Sequence, residues 1–201
     1  MPRLAIERWA RISGAALDTK VVLVVEAAHG QLVHASTAAA GVRVGTRLTD
    51  ARALDPDLVA VPADVAGDAA LLDRLARWAS RWSPLVEVDG DDGLRLDVTG
   101  VAHLFEGEAG LAADIELRFA RLGLTARVVI AGTAGAAWGL ARFGPSSLDT
   151  LPVAALRLPP AATRTLERLG LKTIGALAGV PRRSLARRFR EADNPIARST
   201  G

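Results

Sequence analysis

Five carboxylates crowd one short stretch of the chain: Glu87, Asp89, Asp91, Asp92 and Asp97, interleaved with Gly90 and Gly93. Carboxylates at a strand–turn–strand could hold Mg²⁺, which prefers oxygen ligands. Asp and Gly also favour solvated turns, and taken alone the cluster reads as one. Asp92 and Asp97 are its weak candidates for metal ligation. A second pattern is Leu169-Gly170-Leu171-Lys172-Thr173-Ile174-Gly175, lying between two helical pieces. Apolar–Gly–apolar–x–x–apolar–Gly is the hairpin of a helix-hairpin-helix unit. Gly170 permits a tight turn with positive φ, and Gly175 leaves room for close backbone approach. Amides at the start of the following helix can then face a DNA phosphate. Lys172 and Thr173 can add side-chain contacts. Arg182, Arg183, Arg187, Arg188 and Arg190 follow on one helical piece, the charge that sequence-independent backbone binding needs. The competing reading is a helical hairpin whose glycines only cap helices. His29, His34 and His103 have no metal-site spacing. Ser36, Ser80 and Ser83 sit in no nucleophile elbow, and Gly41, Gly45, Gly132 and Gly135 form no phosphate loop.

The elements that must position these residues follow from hydrophobic periodicity. Leu4, Ile6, Trp9 and Ile12 suit a short amphipathic helix. Val21–Glu26 and Gln31–Ser36 are β-branched runs joined by Ala27-Ala28-His29-Gly30, a predicted hairpin. Thr46–Leu54 is a predicted helix ended before Pro56. Asp64 caps a predicted helix reaching Trp82, with Leu71, Leu75, Trp78 and Trp82 on one face. Pro84–Val88 and Leu94–Val98 are predicted strands around the acidic turn. Glu108–Leu122 and Thr133–Phe143 are predicted helices, with a strand over Thr125–Ala131 between them. Strands alternating with helices give a mixed α+β class, an α/β sheet domain followed by a small all-helical unit. Pro152, Pro159 and Pro160 read as a linker, so a domain boundary falls near residues 145–152. Ala161–Leu169, Ile174–Gly179 and Arg182–Arg190 are helical beyond it.

Composition narrows the function classes. Half of the 201 residues are hydrophobic and 23% are charged, as in a folded soluble protein. Apolar stretches are too short for a membrane span. The first residues carry Arg3, Glu7 and Arg8 and no apolar leader core. With no cysteine, disulfides and thiolate metal sites are excluded and a cytoplasmic location is expected. The net charge of +3 is uneven. Residues 1–150 hold 15 Lys/Arg against 19 Asp/Glu, whereas residues 151–201 hold 10 against 3. A basic C-terminal segment on a mildly acidic body suggests a polyanionic partner.

The order of these pieces resembles the Y-family (UmuC/DinB-like) DNA polymerases. Pro84-Leu85-Val86-Glu87 with Gly93–Gly100 looks like their catalytic hairpin. Val33–Ser36 through Gly41–Thr46 looks like the fingers, and Ala51–Leu58 like the helix after it. Val128–Thr133 looks like a palm strand and turn, and Leu169–Arg188 like the thumb. Within that family, Leu4–Trp9, Thr49–Leu54, Leu94–Glu108 and Gly135–Gly144 are similar to the ImuB branch. The resemblance implies a palm-like α/β sheet domain with a fingers insertion and a helical thumb with a helix-hairpin-helix. It divides the chain into a fingers-like segment with the start of the palm (1–82), a palm-like domain (83–147) and a thumb-like domain (148–201). It also implies an accessory role in damage-induced mutagenesis, linking DNA, a sliding clamp, a RecA-like partner and an error-prone replicative-type polymerase, without a membrane. Such a protein would be associated with the nucleoid.

Departures from the active pattern bear on catalysis. Active members carry an Asp-Glu pair before the Leu-Asp-Val-Thr strand, and these positions align to Asp92 and Gly93. Their metal-binding Asp on the first palm strand precedes the start of this chain. The fingers Tyr and Arg fall near Thr37 and Ala40, and the phosphate-gripping palm lysines near Ala134 and Trp138. Two-metal transfer needs several carboxylates about one ion pair. The expectation is therefore a non-catalytic DNA-binding factor with no cofactor, clipped at both ends relative to the family. An active Mg²⁺-dependent polymerase fragment recruiting Asp89, Asp91 and Asp97 is one alternative. A protein-binding scaffold without DNA contact is another.

Overall fold

The computed structural model describes residues 1–144 and 147–181. The chain divides into two compact units, Met1–Val128 and Val129–Gly201.

The first unit is built around one buried strand. β1 (Val21–Ala27) pairs antiparallel with β2 (Gly30–Ser36) and parallel with β3 (Val59–Pro62), giving the order β2-β1-β3. Successive strand residues face opposite sides of a sheet. Val22 and Val24 accordingly pack with Val33, Leu48, Ala51 and Leu58, while Val21 and Leu23 pack with Ile6 on the other side. A strand buried on both faces needs an unbroken apolar run, which is why Val21–Val25 does not alternate. α1 (Leu4–Ser13) supplies Ile6, and α2 (Leu48–Leu54) supplies Leu48 and Ala51. β3 was not expected from the sequence: it has four residues, and Pro62 is tolerated because β3 lies at the sheet edge.

α3 (Val65–Ala79) begins at Asp64, whose carboxylate accepts from the Gly67 amide at 2.9 Å. Arg8 of α1 reaches this turn, donating from Nε to Asp68 Oδ1 at 2.5 Å and from Nη2 to Asp64 Oδ2 at 2.7 Å. A Cβ on Gly67 would meet the Asp64 carboxylate first and then Arg8 Nη1 at 2.6 Å, so the Arg8–Asp64 pair would have to shift to admit it. The helix stops three residues short of Trp82. Trp82 is nonetheless buried, with its indole N–H donating to Asp114 of α4 (Glu108–Arg121) at 2.8 Å. Trp78, Trp82 and Phe119 pack with ring centroids 5.0–6.2 Å apart. β4 (Val86–Asp89) and β5 (Gly93–Leu96) form a separate antiparallel hairpin.

The expected strand over Thr125–Ala131 is not a paired strand among the described residues. Side chains satisfy its first polar groups instead. Glu7 accepts from the Thr125 amide and hydroxyl at 2.8 and 2.6 Å, and Glu116 accepts from the Val128 amide at 2.9 Å.

In the second unit, α5 (Ala134–Phe143) joins the C-terminal helices rather than the sheet domain. The reason lies at Gly139: a Cβ there would sit 3.1 Å from Leu151 and 3.3 Å from Ala155. The segment read as a proline linker is therefore part of this core, with Leu151, Val153 and Ala155 buried. Its prolines bracket the short 3-10 turn Val153–Leu156 and start α6 (Pro160–Arg168). α7 (Ile174–Ala178) follows, and Val153, Leu166 and Leu171 pack together with Leu169, Leu177 and Val180.

Candidate nucleic-acid interface

The β4–β5 hairpin places its carboxylates without bringing them together. Glu87 pairs with Arg95 across the ladder, and this neighbour holds the Arg95 guanidinium above its ordinary range. Asp97 lies past the end of β5. Its Oδ1 accepts from the Thr99 amide at 2.9 Å, and hydrogen bonds from Thr99 hold its pKa below the usual carboxylate range. The carbonyl of Asp92 accepts from the N-terminal ammonium at 2.7 Å. Among the described residues, no three Asp, Glu or His side chains converge where a metal ion would bind. Asp97 is engaged within its own turn.

Gly93 has a backbone reason to be glycine. It forms the last ladder pair with Asp89, and a Cβ at Gly93 would lie 2.6 Å from the Asp89 carbonyl oxygen. A side chain at residue 93 would require the Asp89 backbone to shift. Thr37 and Ala40, near which the resemblance put the fingers Tyr and Arg, are both buried. Thr37 is buried, with its hydroxyl donating to the Thr19 carbonyl at 2.5 Å and accepting from the Val21 amide at 3.1 Å. Ala40 is buried in the β1 core. Ala134 opens α5 and is exposed, while Trp138 is half-buried beneath two arginines.

The C-terminal hairpin has the expected turn. Gly170 adopts φ 80° and faces open space, and only glycine takes that conformation cheaply. The hairpin is anchored from behind, because the Val153 amide donates to Lys172 O at 3.0 Å and the Ile174 amide to Leu151 O at 2.9 Å. Thr173 caps α7, its hydroxyl oxygen accepting from the Ala176 amide at 3.2 Å. Gly175 has a different neighbour from the one its spacing suggested: a Cβ there would meet Asp149 Cβ and O, both at 3.0 Å. The close approach is made by the chain itself. Lys172 is exposed. Arg182, Arg183, Arg187 and Arg188 lie outside the described residues.

Residues 6–142, which include the three-stranded sheet, the hairpin and most of α5, match the sequence profile of the impB/mucB/samB family. The chain belongs to this family. It is 50% identical over 160 residues to protein ImuB of Caulobacter vibrioides (strain NA1000 / CB15N), a match covering 74% of this chain and 35% of that protein. The chain therefore spans about a third of the length of that relative. Among solved structures it is similar to DinB from Sulfolobus solfataricus, with TM-score 0.72 and 19% identity over 94% of this chain and 61% of that one. A post-insertion binary complex of Dbh DNA polymerase gives TM-score 0.74 and 18% identity, with the same coverages. At these identities the structural likeness establishes the Y-family polymerase fold. The impB/mucB/samB match ends within α5.

Sequence reasoning missed three residues of this impB/mucB/samB chain. Asp149 fills the space at Gly175, and Gly139 draws the 3-10 turn onto α5. Arg157 ends that turn at φ 54°, a left-handed conformation unusual for a residue with a Cβ. No local pattern announces Gly139 or Asp149, since each depends on a partner 12 to 26 residues away.

Proposed function

We propose that the chain is a DNA-binding accessory module of translesion synthesis that does not polymerise DNA. The observation that carries the non-catalytic half is Gly93, which supplies no carboxylate and where even a Cβ would lie 2.6 Å from the Asp89 carbonyl oxygen. Asp97, tied to Thr99, and Thr37, tied to Thr19, support the same reading. The DNA-binding half is supported by the Gly170 turn, the exposed Lys172 and the basic residues that follow. The 50% identity to ImuB supports a place in induced mutagenesis. A RecA-like partner, a sliding clamp and an error-prone polymerase are the protein partners this reading entails, and nucleoid association follows from DNA binding.

The test joins primer extension to fluorescence anisotropy over a salt series. No extension is expected with Mg²⁺ or Mn²⁺. Weak, sequence-indifferent binding is expected, on the order of micromolar at physiological salt. Replacing Arg182, Arg183, Arg187 and Arg188 with glutamine should weaken binding equally for all sequences, because phosphate contacts carry no base information. Unchanged affinity and salt slope in that variant would remove this segment from the DNA contact and favour the scaffold reading. Template-directed extension abolished by Asp92→Ala would establish an active polymerase.

A further inference from the structure

α3 carries a basic face beside its core-facing one. The core-facing side is Asp68, Leu71, Leu72, Leu75 and Ala79. Successive residues advance about 100° around a helix, so Arg74, Arg77, Trp78 and Arg81, spaced i, i+3, i+4 and i+7, fall on one stripe. Arg81 lies just past the last residue of α3, and its Nε donates back to the Trp78 carbonyl at 3.1 Å. The three arginines are exposed and Trp78 is half-buried.

The helix's own needs account for part of this face. A cation in the last turn suits the negative end of the helix dipole, which covers Arg77. Trp78 roofs the aromatic core, edge-on to Trp82 and Phe119 with centroids 5.0 and 5.4 Å apart. Neither need accounts for Arg74, or for guanidinium groups left without a carboxylate. Among the described residues Arg74 and Arg77 form no ion pair and no side-chain hydrogen bond, although Asp73 stands four residues before Arg77. Arg8, Lys20, Arg95 and Arg118 of the same unit each pair with an acid.

The surroundings decide what kind of anion fits. Residues 1–128 hold 14 Lys/Arg against 18 Asp/Glu, so the stripe is a basic strip on an acidic unit. A long polyanion crossing that unit is repelled on balance, whereas a short acidic segment needs only the stripe. Trp78 is a poor platform for an unstacked base, because the Arg81 guanidinium carbon already lies over its ring, 4.2 Å from the centroid. The cations span about 10 Å along the axis at 1.5 Å per residue. Carboxylates at i, i+3 and i+7 of a second helix have that same spacing.

We infer that the Arg74–Arg81 face of α3 docks an acidic amphipathic helix of a protein partner, with carboxylates on Arg74, Arg77 and Arg81 and an apolar side chain against the exposed part of Trp78. The surface is separate from the C-terminal hairpin and does not depend on DNA binding.

The test uses the full chain and two labelled, helix-forming, alanine-rich peptides of equal composition. One carries glutamates at i, i+3 and i+7 with a leucine at i+4. The other keeps the leucine but moves the glutamates to i, i+2 and i+5, which spreads them around the helix. Anisotropy should show salt-dependent binding that is tighter for the first peptide. Arg74→Gln and Arg77→Gln should each weaken it about 1.5- to 5-fold, the range for exposed ion pairs, and the double variant about 2- to 25-fold where the effects add. Melting temperature should hardly change, since neither side chain has an internal partner. If the double variant does melt lower, the peptide decides: replacing its glutamates with lysine must abolish binding to the wild type, and persistent binding overturns the inference. Equal binding of the two glutamate peptides, no binding of either, or unchanged affinity in the double variant overturns it as well. An oligothymidylate that displaces the peptide, and itself loses affinity in the double variant, would assign the stripe to nucleic acid instead. Replacing Arg182, Arg183, Arg187 and Arg188 with glutamine should leave peptide binding intact; its loss there would move the contact off α3. Failure of the DNA reading with intact peptide binding would leave this surface standing.

Discussion

A glutamate at residue 93, where the resemblance to active Y-family members puts one, should not confer polymerisation, and Gly93→Glu makes that expectation quantitative. A Cβ at residue 93 would lie 2.6 Å from the Asp89 carbonyl oxygen, about 0.8 Å inside the ordinary contact distance of 3.4 Å. The obstacle is backbone, so no side-chain rotation relieves it. The strands must part at the Asp89↔Gly93 pair, which closes a ladder of four pairs. Overpacking of this kind costs about 1–3 kcal/mol. For a chain of this size, each kcal/mol lowers the melting temperature by about 2–4 °C. Gly93→Ala carries the same Cβ without the charge and should show most of that loss. Gly93→Glu should show the loss, no recovery of stability with added Mg²⁺, and no primer extension, because Asp97 remains tied to Thr99. Scanning fluorimetry with and without Mg²⁺, followed by primer extension, reads all three. If Gly93→Ala melts with the wild type, the steric reasoning fails. If Gly93→Glu extends a primer, the hairpin is one residue away from an active site and the non-catalytic reading fails.

Two further expectations concern the first unit. Asp68→Asn leaves the buried Arg8 with only Asp64 as a charged partner among the described residues and should cost about 3 kcal/mol in chemical denaturation, the low end for breaking a buried pair. An Arg8→Met, Asp68→Leu double variant should lose less, and a cost near zero for Asp68→Asn would show that the pair does not hold α1 to α3. Asp114 is held below the usual carboxylate range, first by the Trp82 indole N–H and then by Arg118, against the opposing effect of burial. Its folded pKa is depressed, so the stabilisation is present above the unfolded value and lost as pH falls below about 4. Acid titration of tryptophan emission should show this step in the wild type and not in Asp114→Asn; the same step in both would assign it elsewhere.

Much of this protein is determined by short-range pattern. The apolar run Val21–Val25, the Asp64 cap, the heptad-like face of α3 and the Gly170 turn each depend on residues within a few positions, where periodicity and backbone sterics act directly. The absence of a carboxylate at Gly93 is likewise a matter of identity alone. Tertiary structure decided what surrounds these features. It left Thr125–Ala131 outside any paired strand, because Glu7, more than a hundred residues earlier, takes the Thr125 donors. The proline-rich stretch became core, because Gly139 admits Leu151 and Ala155 against α5. Gly175 faces Asp149 instead of an open surface, and the turn ending at Arg157 sets a guanidinium over Trp138. Contacts of this kind depend on which surfaces meet after folding, and a linear pattern records only the residues that remain when they do.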